Sequence, residues 1–266
     1  MIAEAQRHLS GSNASISIAV QGLELRIGRR VLCSGLDVTL NRGENWCILG
    51  PNGTGKTTLL HTLAGLRDPD RGSILLSGRA LGEYTPHELA LLRSVLFQRN
   101  EEPFPSTVLE TVMAGRHPHV SRWGSESDLD RQTARDVLER VGLSGFHDRD
   151  ITSLSGGEHQ RVNIAAALAQ QAPVQLFDEP ASYLDLRHQA DMLGLITAAR
   201  DRLNVLVLHD LNHASQYCSH ALLMYEDGHC ESGCIEEVLT RDKLEALYDC
   251  QISLVNDGGR SLYFAG

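Results

Sequence analysis

One octapeptide constrains this chain more than any other segment. Gly50-Pro51-Asn52-Gly53-Thr54-Gly55-Lys56-Thr57 fits the pattern G-x-x-x-x-G-K-[ST]. It follows the apolar run Trp46-Cys47-Ile48-Leu49 and precedes a stretch with apolar Leu59, Leu60, Leu63 and Ala64, closed by Gly65. The run reads as a strand buried on both faces, and the stretch as a helix. A strand, a glycine-rich loop and a helix in that order make an anion site. Glycines let backbone N–H groups turn inward around phosphate oxygens, and the helix N-terminus adds partial positive charge. Lys56 can reach β and γ phosphates, and the Thr57 hydroxyl can hold Mg²⁺. An ordinary glycine-rich turn would not need the lysine and the threonine.

The remaining pattern predicts an α/β architecture around that loop. Ile16, Ile18, Val20, Leu23, Leu25, Ile27, Val38 and Leu40 alternate between breaks at Gly22, Gly28 and Gly43, as short antiparallel strands over one side of a core would. Buried runs at 94–97, 174–177, 205–208 and 221–224 follow, with helical spacing between them (Ala134, Val137, Leu138, Val141). Strands alternating with helices predict a mostly parallel sheet. Asp227-Gly228 predicts a late hairpin turn. From about Arg99 to Ser153 the spacing is helical (Val108, Leu109, Val112, Met113), with no convincing strand. The expected segmentation is a loose tail at 1–15, a first core part at 16–98, a helical subdomain at 99–155, a second core part at 156–235 and a C-terminal extension at 236–266.

Charge and composition narrow the class. Asp+Glu at 34 against Lys+Arg at 24 leaves a net charge of −10, which argues against a nucleic-acid surface. No apolar run approaches the length of a membrane span, and the N-terminus lacks the order of a signal peptide, so a soluble, cytoplasmic chain is expected. Cys33, Cys47, Cys218, Cys230, Cys234 and Cys250 are scattered and read as free thiols. His229, Cys230 and Cys234 hint at zinc but lack a second pair of ligands. Neither lysine, Lys56 or Lys243, lies in the Asn-Lys-x-Asp motif with which GTPases read guanine.

Two further segments carry chemistry. Val174–Phe177 ends in Asp178-Glu179-Pro180. Strand ends of this kind face the ligand crevice of an α/β sheet. Asp178 suits Mg²⁺, and Glu179 suits positioning and deprotonating water; standing alone, the pair would read as a solvated strand end. Leu154-Ser155-Gly156-Gly157-Glu158 precedes a helix with apolar Val162, Ala165, Ala166 and Ala169. Ser155 and Glu158 spell a capping box. The adjacent glycines leave bare N–H groups, a second anion site.

Together these segments resemble the ATP-binding cassette (ABC) ATPases. The phosphate loop (Walker A), Gln98 after a strand, the Ser155-containing signature, the Asp178-Glu179 run (Walker B), Ser182-Tyr183-Leu184-Asp185 and His209 stand in the family's order. Gln98 lies 42 residues after Lys56, Ser155 57 after Gln98, Glu179 24 after Ser155 and His209 30 after Glu179. The resemblance spans about Ile16 to the C-terminus. It implies a P-loop NTPase (RecA-like) core with an N-terminal antiparallel β subdomain and an inserted helical subdomain, acting on ATP with Mg²⁺.

By this resemblance, Gly50 through Thr57 and the following Thr58 cradle the nucleotide, with Lys56, Thr57 and Asp178 holding phosphates and metal. Gln98 contacts metal or water and signals toward a transport partner. Glu179 polarises the attacking water, and His209 contacts the γ-phosphate. Ser155 and Gly157, with Gly156, Glu158 and Asp185 beside them, would meet a nucleotide held by a second copy. One loop and one signature per chain imply a homodimer.

Gly115-Arg-His-Pro-His119, Leu184–Gln189, His209–Ala214 with Tyr217, and Glu236–Thr240 look like the ATPase subunits of iron-chelate, haem and cobalamin importers. That group implies a polytopic permease, a substrate-binding protein reached through it, and a place on the cytoplasmic face of the inner membrane. A soluble ABC ATPase acting on nucleic acid is disfavoured by charge and by the short Gln98–Ser155 gap. Three departures stand out: Ile27 where an adenine-stacking aromatic is usual, Gln175 inside the apolar Walker B strand, where it needs a buried partner, and Tyr183 in place of a small residue.

Overall fold

The alternating N-terminal segment forms two long strands in the computed structural model, which describes residues 16–98, 105–120, 124–257 and 260–266. Strands β1 (Ser17–Ile27) and β2 (Arg30–Asn41) pair antiparallel, with Ile27 opposite Arg30. Only Gly28 and Arg29 join them, and Gly28 has φ 58, the positive value a tight hairpin turn of matching twist requires. The alternation is not strict. Register shifts between Val20 and Leu25 place Leu23, Glu24 and Leu25 consecutively in the interior. Ile27, expected on the core face, is 55% exposed, after a further register shift between Leu25 and Arg26. Two strands that the pattern did not single out, β4 (Arg71–Leu76) and β5 (Arg79–Ala80), complete the order β2-β1-β4-β5.

The second sheet has the order β10-β9-β3-β8-β7-β6. Strand β3 (Asn45–Leu49) carries the phosphate loop at its end. Around it lie β6 (Arg93–Leu96), β7 (Val174–Asp178), β8 (Leu203–Val207) and β9 (His220–Met224), all parallel, with β10 (Cys230–Cys234) antiparallel at one edge. The expected mostly parallel sheet and the Asp227-Gly228 hairpin are both present. Phe97, expected within the β6 run, lies beyond the strand end and is exposed. Residues 99–104 lie outside the described residues, as does the tail expected at 1–15.

Each central strand is apolar throughout because both faces are covered. Trp46 and Ile48 face a core shared with Leu25, Leu40 and the helix α1 (Lys56–Leu63) through Leu59 and Leu60. Cys47 and Leu49 face the opposite core, built with Phe177 and Leu206. After the short α2 (Pro86–Leu92), the described residues between β6 and β7 are helical: α3 (Val108–Ala114), α4 (Asp128–Arg140) and α5 (Gly156–Ala169), apart from one isolated bridge, Thr107–Asp150. Their apolar sides join the second core through Val108, Ala134, Leu138 and Val162. The division at 99–155 remains a proposal resting on this helical placement.

The Gly115–His119 segment is a packing device. A Cβ on Gly115 would lie 2.1 Å from Ala166 O, so only glycine lets α3 approach α5. Buried Arg116 then donates to Asp130 Oδ1 at 3.0 Å and to Ala169 O at 2.7 Å, joining three helices. The last helices are α6 (Leu186–Thr197), α7 (Leu211–Tyr217), α8 (Ile235–Val238) and α9 (Arg241–Tyr248). A terminal hairpin, β11 (Ile252–Asp257) and β12 (Arg260–Ala265), closes on α7, where Asn212 exchanges hydrogen bonds with the backbone of Tyr263.

A further expectation fails. Gln175 is fully buried, yet neither of its amide atoms has a hydrogen-bond partner among the described residues. Its register neighbours Ser94 and Asn204 are also polar, and Ser94 Oγ and Asn204 Oδ1 are likewise unpaired. A buried amide without partners costs about 1–3 kcal/mol. Gln175→Met, of similar length, should therefore raise the unfolding free energy by roughly 1–2 kcal/mol in urea titrations. A loss of stability would show instead that an internal water satisfies the amide.

Candidate active site at the carboxyl edge of the parallel sheet

Parallel pairing brings four chain-distant segments to one edge. The phosphate loop follows β3, Phe97-Gln98 follows β6, Asp178-Glu179 closes β7 and His209 comes two residues after β8. This edge is where an open α/β sheet binds its ligand.

The phosphate loop depends on two of its glycines. Gly50 has φ 151, and a Cβ there would lie 2.4 Å from Met224 O at the end of β9. Gly55 has φ 102 and caps α1, and a Cβ there would meet Leu32 Cδ1 at 2.8 Å. No side chain caps α1 and no acidic residue occupies its first turn. Its leading N–H groups and positive dipole end are therefore offered to an anion. Lys56 Nζ folds back over the loop, donating to Gly50 O at 2.8 Å and Pro51 O at 2.9 Å. Burial pushes its ammonium below the ordinary range, while Glu179 and Asp178 favour the charged form.

Asp178 is fully buried, and neither of its oxygens makes a hydrogen bond of good geometry among the described residues. Burial raises its carboxyl above the usual range, opposed by the neighbouring Thr57 hydroxyl. Two orphaned carboxylate oxygens beside a hydroxyl form a donor set that fits a hard cation such as Mg²⁺. Gln98 could offer its amide oxygen as well, since its Nε2 donates to Glu179.

Glu179 is the hub. Its Oε1 accepts from His209 Nε2 at 2.7 Å and from Gln98 Nε2 at 2.9 Å, while Oε2 accepts from Ser182 Oγ at 3.1 Å. Burial alone would raise its carboxyl, but the bonds from His209, Ser182 and Gln98 hold it below the ordinary range. The group is thus ionised at neutral pH, as a base or water-positioning acceptor requires. Glu179 has φ 51, a left-handed conformation uncommon for a side-chain-bearing residue, which turns the chain sharply at the strand end. Buried Gln160 supports that turn, its Nε2 lying 3.3 Å from Pro180 O and 3.4 Å from Glu179 O.

The signature residues form a separate group. Ser155 caps α5 in a complete capping box, its Oγ accepting from Glu158 N and its N donating to Glu158 Oε2. Gly156 and Gly157 lie against Tyr183: a Cβ on Gly157 would be 3.1 Å from Tyr183 O. Asp185 caps α6, accepting from His188 N at 2.9 Å. No described hydrogen bond links Ser155, Gly156, Gly157, Glu158 or Asp185 to Lys56, Gln98, Glu179 or His209. Thr54 Oγ1 donates to Pro51 O at 3.0 Å, and Asn52 and Gly53 are exposed at the loop tip. Thr58, in the first turn of α1, accepts from Thr62 Oγ1 at 2.8 Å.

Sequence reasoning assigned no role to Ser182 or Gln160. Ser182 lies three residues after Glu179, so a local turn could have suggested it. Gln160 belongs to a helix whose approach to the turn after β7 no local pattern reveals. Near the zinc candidates, Cys234 Sγ approaches His220 Nε2 at 3.7 Å, and among the described residues no cluster of three or more His, Cys, Asp or Glu could hold a metal.

With this geometry in view, comparison with known proteins decides the family. The ABC transporter family profile matches residues 33–182. The chain belongs to the ABC transporter family. It is 35% identical over 248 residues to the iron(3+)-hydroxamate import ATP-binding protein of Bacillus subtilis (strain 168), covering 91% of each chain. It is 38% identical over 236 residues to the hemin import ATP-binding protein of Streptomyces coelicolor, covering 87% of this chain and 82% of that one. A solved inward-facing ABC transporter, assigned to the metal-chelate type, superimposes with a TM-score of 0.81 at 26% identity, over 94% of this chain and 98% of that one. The chain is therefore an ATP-binding ATPase with the P-loop NTPase fold of this family.

The bonds around Glu179 give a testable expectation for the pH response of this ABC ATPase. Ser182→Ala removes a hydrogen bond that holds the Glu179 carboxyl low, so that carboxyl should titrate at higher pH. The acid limb of the ATPase pH profile should accordingly move toward neutral pH, with turnover on the plateau little changed. An unmoved limb would show that Glu179 does not govern it.

Proposed function

We propose that this chain is the ATP-hydrolysing subunit of an importer that energises uptake of an iron chelate (siderophore) across the cytoplasmic membrane. The observation that carries the catalytic half is the ionised Glu179 carboxylate, gripped by Gln98 and His209 at the edge where the phosphate loop opens. In this reading, Gly50–Thr58 and the first N–H groups of α1 bind the phosphates, and Lys56 neutralises their charge. Thr57, Asp178 and the Gln98 amide oxygen would hold Mg²⁺, which supplies electrostatic stabilisation of the transferring phosphoryl group. Glu179 orients and deprotonates the attacking water, while His209 fixes the carboxylate and reaches the γ-phosphate. Such a site works by positioning and charge.

The separation of the Ser155–Glu158 group and Asp185 from the catalytic cluster supports a second copy as the source of the missing contacts. Two chains placed head to tail would give two composite sites, each with one phosphate loop and one signature. The import functions in the relatives' names support a polytopic permease as partner, a substrate-binding protein reached through it, and a peripheral place on the membrane's cytoplasmic face. Among the described residues, no helix is long and apolar enough to cross a membrane.

A hemin cargo is a second reading, favoured by the 38% identity to the hemin import protein. Growth of a strain lacking this chain decides between them. Lost growth on ferric siderophore with retained growth on hemin supports the first reading, and the reverse supports the second.

Glu179→Gln should retain ATP binding while slowing hydrolysis by roughly 10²–10⁴, the usual worth of a general base. It should also accumulate as an ATP-bound dimer in gel filtration. Near-wild-type turnover would remove Glu179 from its role. Lys56→Ala, by contrast, deletes the cation facing the phosphates and should abolish ATP binding, as equilibrium titration with a fluorescent ATP analogue would reveal.

A further inference from the structure

Arg26, Arg29 and Arg30 surround the tip of the β1–β2 hairpin, next to the exposed Ile27. The structure sorts them by what each touches. Arg26 is committed: its guanidinium pairs with Glu24, its N–H donates to Asp70 Oδ2, and its carbonyl accepts from Arg67. Arg29 occupies the two-residue turn. Arg30 is exposed, and its side chain has no hydrogen-bond or ion-pair partner among the described residues.

Strand register decides where Arg30 points. Alternate residues of a strand share a face. Leu32 packs onto the phosphate loop, 2.8 Å from the Cβ position of Gly55. Arg30, two residues earlier on the same face, brings its Nη1 to 3.9 Å from the Cβ position of Gly53. Val31 between them turns the other way, with its Cγ1 3.0 Å from the Cβ position of Gly228. The guanidinium therefore flanks the phosphate loop because β2 is anchored at both of its neighbours. Directly across the hairpin, Ile27 is the register partner of Arg30 and shares its face. An unpaired cation sits at the loop, and an exposed apolar side chain sits one step further out.

We propose that Arg30 is a second nucleotide-binding cation, pairing with the phosphate chain across Gly53. The proposal rests on the reading of this edge as an ATP site. It has a physical motive. Lys56 is held by two loop carbonyls and faces two carboxylates, so its charge is already shared before a nucleotide arrives. A guanidinium with no carboxylate partner retains its full charge for phosphate, which it can meet with two parallel N–H groups.

Calorimetric titration of ATP and AMP into wild type, Arg30→Ala, Arg30→Lys and Lys56→Ala tests this. Arg30→Ala should weaken ATP roughly tenfold and AMP clearly less, as expected for a charge-assisted bond to the phosphate chain. Arg30→Lys should recover part of the loss, and the ATP gap should narrow as salt is raised. If Arg30→Ala binds ATP like wild type while Lys56→Ala does not, the proposal is wrong and the ATP site stands. An equal loss for ATP and AMP that lysine does not recover would place Arg30 against the base and overturn the phosphate assignment. If Lys56→Ala also binds normally, the reading of the edge as an ATP site is what fails.

Discussion

Parallel pairing of β3, β8, β7 and β6 sets the distances on which the site depends. Neighbouring strands in a sheet run about 4.8 Å apart. Segments leaving adjacent strands at the same edge therefore fall within hydrogen-bond reach of one another. Glu179 leaves the strand between those that deliver Gln98 and His209, and both donate to the same carboxylate oxygen. The phosphate loop leaves β3, one strand beyond β8, so Lys56 meets the field of both carboxylates without a direct bond to either. A one-strand change in this order would separate the water-positioning group from the phosphates.

The two ends of the sheet are treated differently. At the carboxyl edge, Glu179 has three side-chain partners, the two unpaired oxygens of Asp178 are the donor set that fits a cation, and the loop glycines at 50 and 55 remove Cβ atoms that would collide. Nearer the other end, Ser94, Gln175 and Asn204 lie in register across three strands with unpaired atoms. Only Asn204 reaches partners, at Asn45 Oδ1 and Ile196 O. Unpaired buried polar groups destabilise a core, so this stripe costs the fold stability. It lies away from the catalytic edge, so relieving it need not disturb the chemistry.

Tyr183 shows how the second half of the site is held open. It has φ 66, is 73% exposed, and packs its backbone against Gly157. The capping box at Ser155 rigidifies the start of α5 while leaving Ser155 and Gly156 at the surface. A helix start that is ordered, glycine-rich and exposed has the properties of an anion site facing outward.

Much of this was legible in the residues themselves. The phosphate loop, the paired carboxylates and the Ser155 capping box depend on bonds within a few residues, so spacing alone reveals them. The buried strands were visible because a two-faced strand must be apolar throughout. What local pattern could not show were features created by contacts between distant segments. The bulges in β1 bury Glu24 and expose Ile27, contrary to simple alternation. The strands β4, β11 and β12 carry apolar residues such as Ile74, Leu76, Ile252 and Tyr263, but runs this short are assigned to a sheet only by the strands they pair with. Gln160 supports Glu179 only because α5 approaches the turn after β7, and Arg30 reaches Gly53 only because β2 is seated on the loop. The sequence by itself determined which groups can bind phosphate and which can move a proton, because those are properties of residue type and short-range spacing. Tertiary structure alone decided which of them meet, because strand order and register bring together residues that lie tens of positions apart.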